Sequence, residues 1–272
     1  MGIALDVVAT LTNLCEPQLL VNDSAYTIIQ CSPTLYIHFV SLTTNLQPQD
    51  LLNLQEKYAR EEKLLVHLWE DIWLFNPTGV LSRVKSFLGL NQTLHARKAK
   101  LIPVDKADAV LFFNRYHLQG FVNAKYHFGL TMNNELISLA SFSDLRPMKS
   151  KGNQYTSAEL IRFASIDGFT ITGGLSKLIK HFLNLTKPND LMTYADRDWS
   201  LGKGYAALGF ELTTPTAPAD LFVDQKTGLR YFPHRLPKRL LSSIDAQKEL
   251  NLDDHGFAKV FNTGNLKYHL YV

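Results

Sequence analysis

A glycine pair followed by a serine and a lysine is the segment of this chain with the most evident chemistry. The apolar run Glu159–Ser165 predicts a strand, and Gly173-Gly-Leu-Ser-Lys177 then opens a predicted helix, Leu175–Leu183. The first amides of a helix lack intrahelical acceptors and the helix dipole adds positive charge, so this turn suits a phosphate. Glycine lets the backbone approach such a ligand closely, while Ser176 adds a hydroxyl and Lys177 a charge. A purely structural tight turn explains the glycines equally well.

A tyrosine, an aspartate and a histidine are candidates for proton transfer. Tyr205, in Gly204-Tyr-Ala-Ala-Leu-Gly-Phe210, carries a phenol that can act as a general acid. Asp196 follows the predicted strand Asp190–Ala195, at the strand end where α/β sites gather, and is a candidate base. His117 is the other candidate base, although a histidine near a helix end is more often a cap or a packed side chain.

The elements around these residues predict an α/β fold with a mixed sheet flanked by helices. Asn133-Asn134 predicts a hairpin turn between two strands. The chain divides most naturally near Leu90–Arg97, which gives domains 1–95 and 96–272. The other predicted elements are helices Ala4–Leu14, Pro48–Arg60, Pro77–Leu88, Lys106–Tyr116 and Lys203–Leu208, and strands Tyr26–Cys31, Thr34–Leu42, Lys63–Trp69, Lys100–Val104, His127–Thr131, Leu136–Phe142, Asp220–Val223, Tyr231–Phe232 and Tyr268–Tyr271.

From about residue 98 to the end, the sequence resembles the GNAT acyltransferase family. The family carries a tyrosine, three residues and Gly-Phe after its fifth strand, which Tyr205–Phe210 matches, and a glycine-rich pyrophosphate loop after its fourth, where Gly173–Lys177 falls. The chain departs from the family at Ile171, which stands where that loop usually has Arg or Gln.

The resemblance implies an N-acyltransferase that transfers an acyl group from acetyl-CoA or another acyl-CoA to an amine. It implies a backbone amide near Ala164 or Ser165 that polarises the thioester carbonyl, and Tyr205 as the acid that protonates the leaving thiolate. Coenzyme binding is expected at Gly173, Gly174, Ser176 and Lys177. Substrate binding is expected at Arg162, Tyr194 and Arg197.

A second resemblance concerns context. The motifs "HLQG", "RFAS", "GGLSKL" and "YADRDWSLGKGY" resemble a GNAT-related domain of phage and mobile-element proteins. There it often follows a nuclease domain similar to very-short-patch-repair and homing endonucleases. Residues 1–95 resemble a degenerate form of that restriction-endonuclease-like α/β fold. Its catalytic strand needs carboxylates and a lysine to hold Mg²⁺, and Thr34–Leu42 has neither. Glu70 and Asp71 alone are insufficient, so nuclease activity is not expected.

Charge and composition limit the remaining possibilities. Residues 1–95 carry 5 Lys and Arg against 9 Asp and Glu, whereas residues 96–272 carry 23 against 16. A basic second half suits a small phosphorylated molecule or a nucleic acid, although it can also be a solubilising surface. No apolar run approaches the ~20 residues of a membrane span, no signal peptide is evident, and Cys15 and Cys31 lack zinc-ligand spacing.

These observations predict a cytoplasmic protein with neither a membrane partner nor a bound metal. Its oligomeric state stays open. Two other functions also remain open. One is a phage-type nucleic-acid-modifying or nucleic-acid-binding protein of the Mom type, for which Arg230–Arg239 offers aromatic and basic residues. The other is a non-catalytic structural protein, since fold alone does not decide function.

Overall fold

A computed structural model of the chain describes residues 2–22, 26–237 and 255–272. The chain forms two compact units. Unit 1 comprises Met1–Pro77, Asp196–Leu201 and Pro215–Asn265, and unit 2 comprises Thr78–Ala195, Gly202–Thr214 and Leu266–Val272. These boundaries differ from the predicted division into 1–95 and 96–272.

Long-range packing is the physical reason for this difference. In unit 1, Leu221, Val223 and Val260 form one buried cluster with Val40, Leu51 and Trp69. Burial of these apolar side chains joins a late segment of the chain to the N-terminal strands. Periodicity along the sequence cannot show such a contact.

Unit 1 contains a four-stranded sheet in the order β1-β2-β3-β4 and a three-stranded sheet in the order β15-β14-β16. In the first sheet β1, β2 and β3 are antiparallel and β4 runs parallel to β3. The predicted helices and strands of the N-terminal segment are confirmed to within a few residues, while β1 was not predicted. The elements are α1 (Gly2–Leu11), β1 (Gln18–Asn22), β2 (Thr27–Gln30), β3 (Leu35–Val40), α2 (Pro48–Arg60), β4 (Leu64–Trp69), α3 (Glu70–Phe75), β14 (Asp220–Asp224), β15 (Arg230–Tyr231) and β16 (Phe257–Phe261).

Unit 2 is built on a sheet in the order β13-β17-β12-β10-β8-β7-β6, with the short β9 paired to β10. A separate parallel pair joins β11 to β5. The elements are α4 (Pro77–Phe87), β5 (Gln92–His95), β6 (Lys100–Pro103), α5 (Lys106–Tyr116), β7 (Tyr126–Met132), β8 (Glu135–Phe142), β9 (Arg146–Pro147), β10 (Thr156–Ser165), β11 (Phe169–Thr172), α6 (Gly174–Thr186), β12 (Asp190–Asp196), α7 (Lys203–Ala206), β13 (Glu211–Pro215) and β17 (Asn265–Tyr271).

The prediction of a mixed α/β architecture is therefore confirmed. The hairpin between β7 and β8 turns at Asn133 and Asn134, whose φ angles of 51° and 65° are typical of an asparagine turn. The core of unit 2 lies between the sheet and α6, where Leu178 and Phe182 are fully buried and Phe182 stacks on Phe142 at 4.2 Å between ring centroids. No helix in the described ranges is long and apolar enough to cross a membrane.

Candidate functional site

The parallel strands β10 and β12 pair over only part of their lengths. The pairing joins Ser157–Leu160 to Asp190–Thr193, whereas β10 continues to Ser165 and β12 to Asp196. The two strands therefore part after Leu160 and Thr193. We refer to this point as the strand fork.

Two local features explain the fork. The Thr193 hydroxyl donates a hydrogen bond of 3.0 Å to the Leu160 carbonyl, which satisfies that acceptor where strand pairing ends. On the other edge of β10, the register with β8 shifts between Leu160 and Arg162. Such a bulge increases strand twist and re-aims the residues that follow it.

Alternation along β10 determines which amides face the opening. The Ile166 amide donates to the Ile137 carbonyl at 3.0 Å, so the amides of Ile166 and Ala164 point toward β8. The intervening amides of Phe163 and Ser165 then point toward the opening. Of the two residues predicted to polarise a carbonyl, Ser165 has the favourable orientation. The Ala164 side chain packs in a buried cluster with helix α5.

The glycine turn before α6 has the expected conformation. Gly173 caps the helix with φ of 75°, which favours glycine. Gly174 is buried, and a β-carbon there would lie 3.0 Å from the Ile171 side chain. Ile171 itself is 7% exposed and belongs to the core of unit 2. Ile171, where the resemblance leads one to expect an arginine or glutamine, is thus a packing residue.

An open cavity of 440 Å³ lies beside this turn. Its lining contains four basic side chains and no acidic one, and it is formed by His95, Ala96, Arg97, Thr172, Gly173, Ser176, Lys177 and Lys180. Arg97 and Lys180 are exposed, and neither has an ion-pair partner within the described residues. Sequence reasoning missed His95, Arg97 and Lys180. Helical spacing from Gly173 could have indicated Lys180, whereas the pairing of β5 with β11 has no local signal.

Lys177 has a structural role in addition to its charge. Its ammonium donates to the carbonyls of Ala96 and Ala99 at 3.0 and 2.7 Å, which ties α6 to the segment before β6. An ammonium has three donors, so one remains for a ligand. Arg97 and Lys180 are freer to meet an anion.

Tyr205 is half-buried beside α7. Its ring lies 5.7 Å from the rings of Phe210 and Tyr268, and its hydroxyl makes no hydrogen bond to any residue that the structure describes. Gly202, which begins this turn with φ of 73°, would collide with the Tyr268 ring if it carried a β-carbon. The Tyr205 ring is therefore held by packing against Phe210 and Tyr268.

His117 ends α5 and forms local contacts. Its Nδ1 accepts a hydrogen bond of 3.1 Å from the Gln119 amide, and its ring lies 6.1 Å from Phe113. Burial, together with the positive charges of Arg162 and Arg83, lowers the pKa of His117 to about 3. A neutral ring with one nitrogen occupied is a weak base, so these contacts favour the capping role.

Asp196 and Arg197 lie in unit 1. An Asp196 carboxylate oxygen accepts from the Asp198 amide at 3.0 Å, as in a local turn. The Arg197 carbonyl accepts from Gln55 Nε2 at 2.6 Å. Both residues therefore stabilise the connection after β12, and these contacts do not assign Asp196 a role as a base.

The remaining predicted residues, Arg162 and Tyr194, lie near the strand fork. Arg162 is half-buried and donates to the carbonyls of Gly120 and Ile161 at 3.3 and 3.1 Å. Tyr194 is 37% exposed, and burial together with the charge of Glu159 raises the pKa of its phenol. Glu159 was not predicted as a site residue.

The acidic pair associated with the nuclease resemblance is used in structural contacts. A Glu70 carboxylate oxygen accepts from the Ser41 hydroxyl at 2.8 Å and the Leu42 amide at 2.9 Å. Asp71 accepts a bidentate pair from Arg230 at 2.7 and 2.8 Å. Arg230, the first residue of the predicted aromatic and basic stretch, is therefore engaged in this ion pair. Lys238 and Arg239, at the end of that stretch, lie outside the described residues. In the described part of the chain no three metal-ligating side chains converge.

No protein-family model matches the chain, and no curated protein matches its sequence. Solved structures similar to it include a GNAT family acetyltransferase from Elizabethkingia anophelis with acetyl-CoA bound, at 11% identity and a TM-score of 0.36 over 64% of this chain and 99% of that one. The ribosomal-protein-S18-alanine N-acetyltransferase from Escherichia coli has 13% identity and a TM-score of 0.38 over 64% and 94%. A putative acetyltransferase from Salmonella typhimurium with its cofactor acetyl-CoA has 12% identity and a TM-score of 0.36 over 64% and 94%.

Proposed function

We propose that unit 2 is a GNAT-like N-acyltransferase that transfers an acyl group from acyl-CoA to an amine. The observation that carries this proposal is the strand fork, where β10 and β12 part after Leu160 and Thr193. The opening exposes strand amides to a ligand that can lie between the two strands. An extended amide-containing chain such as pantetheine can form strand-like hydrogen bonds there.

The phosphates of the coenzyme would bind at the basic cavity. The first amides of α6 and the Ser176 hydroxyl offer donors, and Arg97 and Lys180 supply the positive charge that the family pattern places at the position of Ile171. Several basic groups that line one cavity suit a ligand with several phosphates. Adenosine 3′-phosphate and the diphosphate of coenzyme A provide these.

The transfer itself requires a polarised carbonyl and a proton for the leaving thiolate. The Ser165 amide points into the opening and would donate to the oxyanion that develops on the thioester oxygen. Tyr205 would give its phenol proton to the thiolate, because its hydroxyl has no partner within the described chain. Packing of its ring restricts the direction in which the hydroxyl points.

Calorimetry with coenzyme A and with pantetheine tests donor binding. Because pantetheine lacks phosphates, Lys180→Glu and Arg97→Glu should each weaken coenzyme A binding by about 10-fold or more and leave pantetheine binding unchanged. Lys57→Glu makes the same charge change at an exposed position of α2 in unit 1 and serves as the control. Absence of coenzyme A binding to the wild-type protein would refute the proposal.

A nucleic-acid phosphate at the same cavity is the second candidate, favoured by the unpaired Arg97 and Lys180. This function would be that of a phage-type nucleic-acid-modifying or nucleic-acid-binding protein of the Mom type. Titration with a single-stranded oligonucleotide separates the two, since nucleic-acid binding weakens steeply with salt. If the oligonucleotide binds and coenzyme A does not, the second function replaces the first. Binding of neither ligand leaves the non-catalytic structural function.

For unit 1 we propose a nuclease-like scaffold without catalytic metal ligands. Support comes from the order α1, three antiparallel strands, α2 and a fourth strand parallel to β3. The strand β3 carries Leu35-Tyr-Ile-His-Phe-Val40, which has no carboxylate. Assays with plasmid DNA and Mg²⁺ or Mn²⁺ should show no cleavage. Cleavage that depends on Glu70 or Asp71 would contradict this proposal.

A further inference from the structure

One face of the unit 2 sheet carries polar side chains beside the strand fork. Side chains alternate between the faces along each strand, and Leu160, Leu191, Ala195 and Tyr268 are buried on the face that packs against α6. Their neighbours Glu159, Tyr194 and Lys267 therefore point to the opposite face. They come from the adjacent strands β10, β12 and β17.

Glu159 and Tyr194 flank the fork. Leu160 and Thr193 are the last paired residues, so Glu159 lies one residue before the fork on β10 and Tyr194 one residue after it on β12. The Glu159 backbone is held from the other side, because its amide donates to the Ser143 hydroxyl and its carbonyl accepts from the Ser143 amide, both at 2.9 Å. The carboxylate is thus presented from a rigid strand at the opening.

Three cations surround this carboxylate. Arg146, Arg162 and Lys267 each lower the pKa of Glu159, while burial, the larger effect, raises it above its usual range. Arg146 is exposed and Lys267 is half-buried, and neither forms an ion pair with a carboxylate of the described chain. The surface therefore combines one negative group with an excess of positive charge.

We infer that this surface is the acceptor site, and that its acceptor is a primary amine on a molecule that also carries a carboxylate or phosphate. The inference rests on the proposed acyl transfer. Glu159 would hold the ammonium at the fork, and Arg146 and Lys267 would bind the anionic group. The exposed ring of Tyr194 would cover the acceptor's carbon chain.

The transfer step balances with these groups. The ammonium gives one proton to Glu159, the free amine attacks the thioester carbonyl, a C–N bond forms and the C–S bond breaks. The thiolate takes the Tyr205 proton. The nitrogen then loses its second proton, which restores the Tyr205 phenol through solvent, and Glu159 releases the first proton. The products are an amide, a free thiol and one proton.

Matched amine pairs test the inference. O-phosphoethanolamine is compared with ethanolamine, and lysine with 1,5-diaminopentane, as acetyl acceptors from acetyl-CoA. The anionic member of each pair should have a kcat/KM about 10-fold higher or more. Arg146→Gln and Lys267→Gln should remove most of this advantage through KM, while calorimetric binding of coenzyme A stays unchanged. Arg115→Gln on α5 and Lys57→Gln on α2 are the controls, since both residues are exposed and neither is among the charges that act on Glu159.

The Glu159→Gln variant distinguishes a role of Glu159 in proton transfer from a role in packing alone. The variant should lower kcat and remove the lower limb of the pH profile, whereas a packing role would leave that limb in place. Equilibrium binding of O-phosphoethanolamine and ethanolamine to the coenzyme-A-saturated protein, followed by NMR, gives a readout that needs no turnover. Equal binding of the two would overturn the inference. Failure of coenzyme A to bind would instead overturn the proposed acyl transfer.

Discussion

The Thr193 hydroxyl donates a hydrogen bond of 3.0 Å to the Leu160 carbonyl, at the point where the parallel strands β10 and β12 part. The threonine is 1% exposed. Water therefore cannot replace its hydrogen bond, and the carbonyl would be left without a donor if the hydroxyl were removed. This contact sets the position of the opening on which the proposed coenzyme site depends.

Thr193→Val keeps the shape of the side chain and removes the hydroxyl. We expect the free energy of unfolding to fall by about 1–3 kcal/mol, because a buried carbonyl loses its partner. Coenzyme A affinity should fall as the fork loses its fixed position. Circular dichroism during urea denaturation measures the first effect and calorimetry the second. Thr131→Val on β7 is the control, because the hydrogen bond from Thr131 to the Lys100 carbonyl is exposed. It should lower the free energy of unfolding by less than Thr193→Val does. Equal decreases would refute the role of the buried hydrogen bond.

Tyr205→Phe keeps the ring that packs against Phe210 and Tyr268 and removes one hydroxyl. If the phenol protonates the thiolate, kcat for acetyl transfer should fall by about 10²–10⁴-fold while the Kd for coenzyme A is unchanged. Tyr126→Phe, which removes a hydroxyl from a half-buried tyrosine of β7, is the control. Undiminished turnover in Tyr205→Phe would remove this residue from the chemistry and leave the binding site in place.

The buried histidine pair of unit 1 predicts a loss of stability in acid. Nδ1 of His38 lies 3.1 Å from Nδ1 of His67, and burial lowers the pKa of each ring from 6.5 to about 3. Both rings are neutral in the folded protein, whereas the unfolded chain binds protons below about pH 6.5. Stability is therefore full above that pH and falls toward pH 3, by up to about 1.4 kcal/mol per pH unit for each histidine.

Tryptophan fluorescence checks this prediction, because Trp69, Trp73 and Trp199 all lie in unit 1. Urea midpoints between pH 7.5 and 4.5 should fall more steeply in the wild-type protein than in the double variant His38→Gln, His67→Gln. Parallel curves would show that other groups cause the acid sensitivity.

The Asp71–Arg230 pair should be necessary for the stability of unit 1. The carboxylate is fully buried and the Arg230 side chain is 20% exposed. Asp71→Asn removes the carboxylate that pairs with this largely buried guanidinium, and the free energy of unfolding, followed by tryptophan fluorescence, should fall by about 3–5 kcal/mol. The exposed pair of Lys259 and Asp220 is a matched comparison, for which Lys259→Met should cost about 0–1 kcal/mol. A small effect of Asp71→Asn would mean that the pair is dispensable.

Local pattern predicted much of the fold. Apolar periodicity placed α2 at Pro48–Arg60 and α5 at Lys106–Tyr116 with the bounds that the structure has, and Asn133-Asn134 predicted the β7–β8 turn. The unit boundaries were not predictable in this way. They depend on Leu221 and Val260 packing with Trp69, across more than half of the chain.

The sequence likewise predicted only those parts of the candidate site that stand in local motifs. The glycines and Tyr205 stand in local motifs, so sequence identified them. Lys180 follows the glycine turn at helical spacing, so the same motif could have indicated it. Arg97 and Glu159 approach the site through strand pairing and through the alternation of side chains along β10. Their positions depend on registers that no local pattern specifies.

A crystal structure of the protein soaked with acetyl-CoA would show directly whether the coenzyme enters the strand fork. We predict that the pantetheine arm lies between β10 and β12 beyond Leu160 and Thr193, with the thioester oxygen within hydrogen-bond distance of the Ser165 amide. The phosphates should contact the start of α6, Arg97 and Lys180. Coenzyme bound at another surface, or a fork that stays empty at saturating acetyl-CoA, would contradict it.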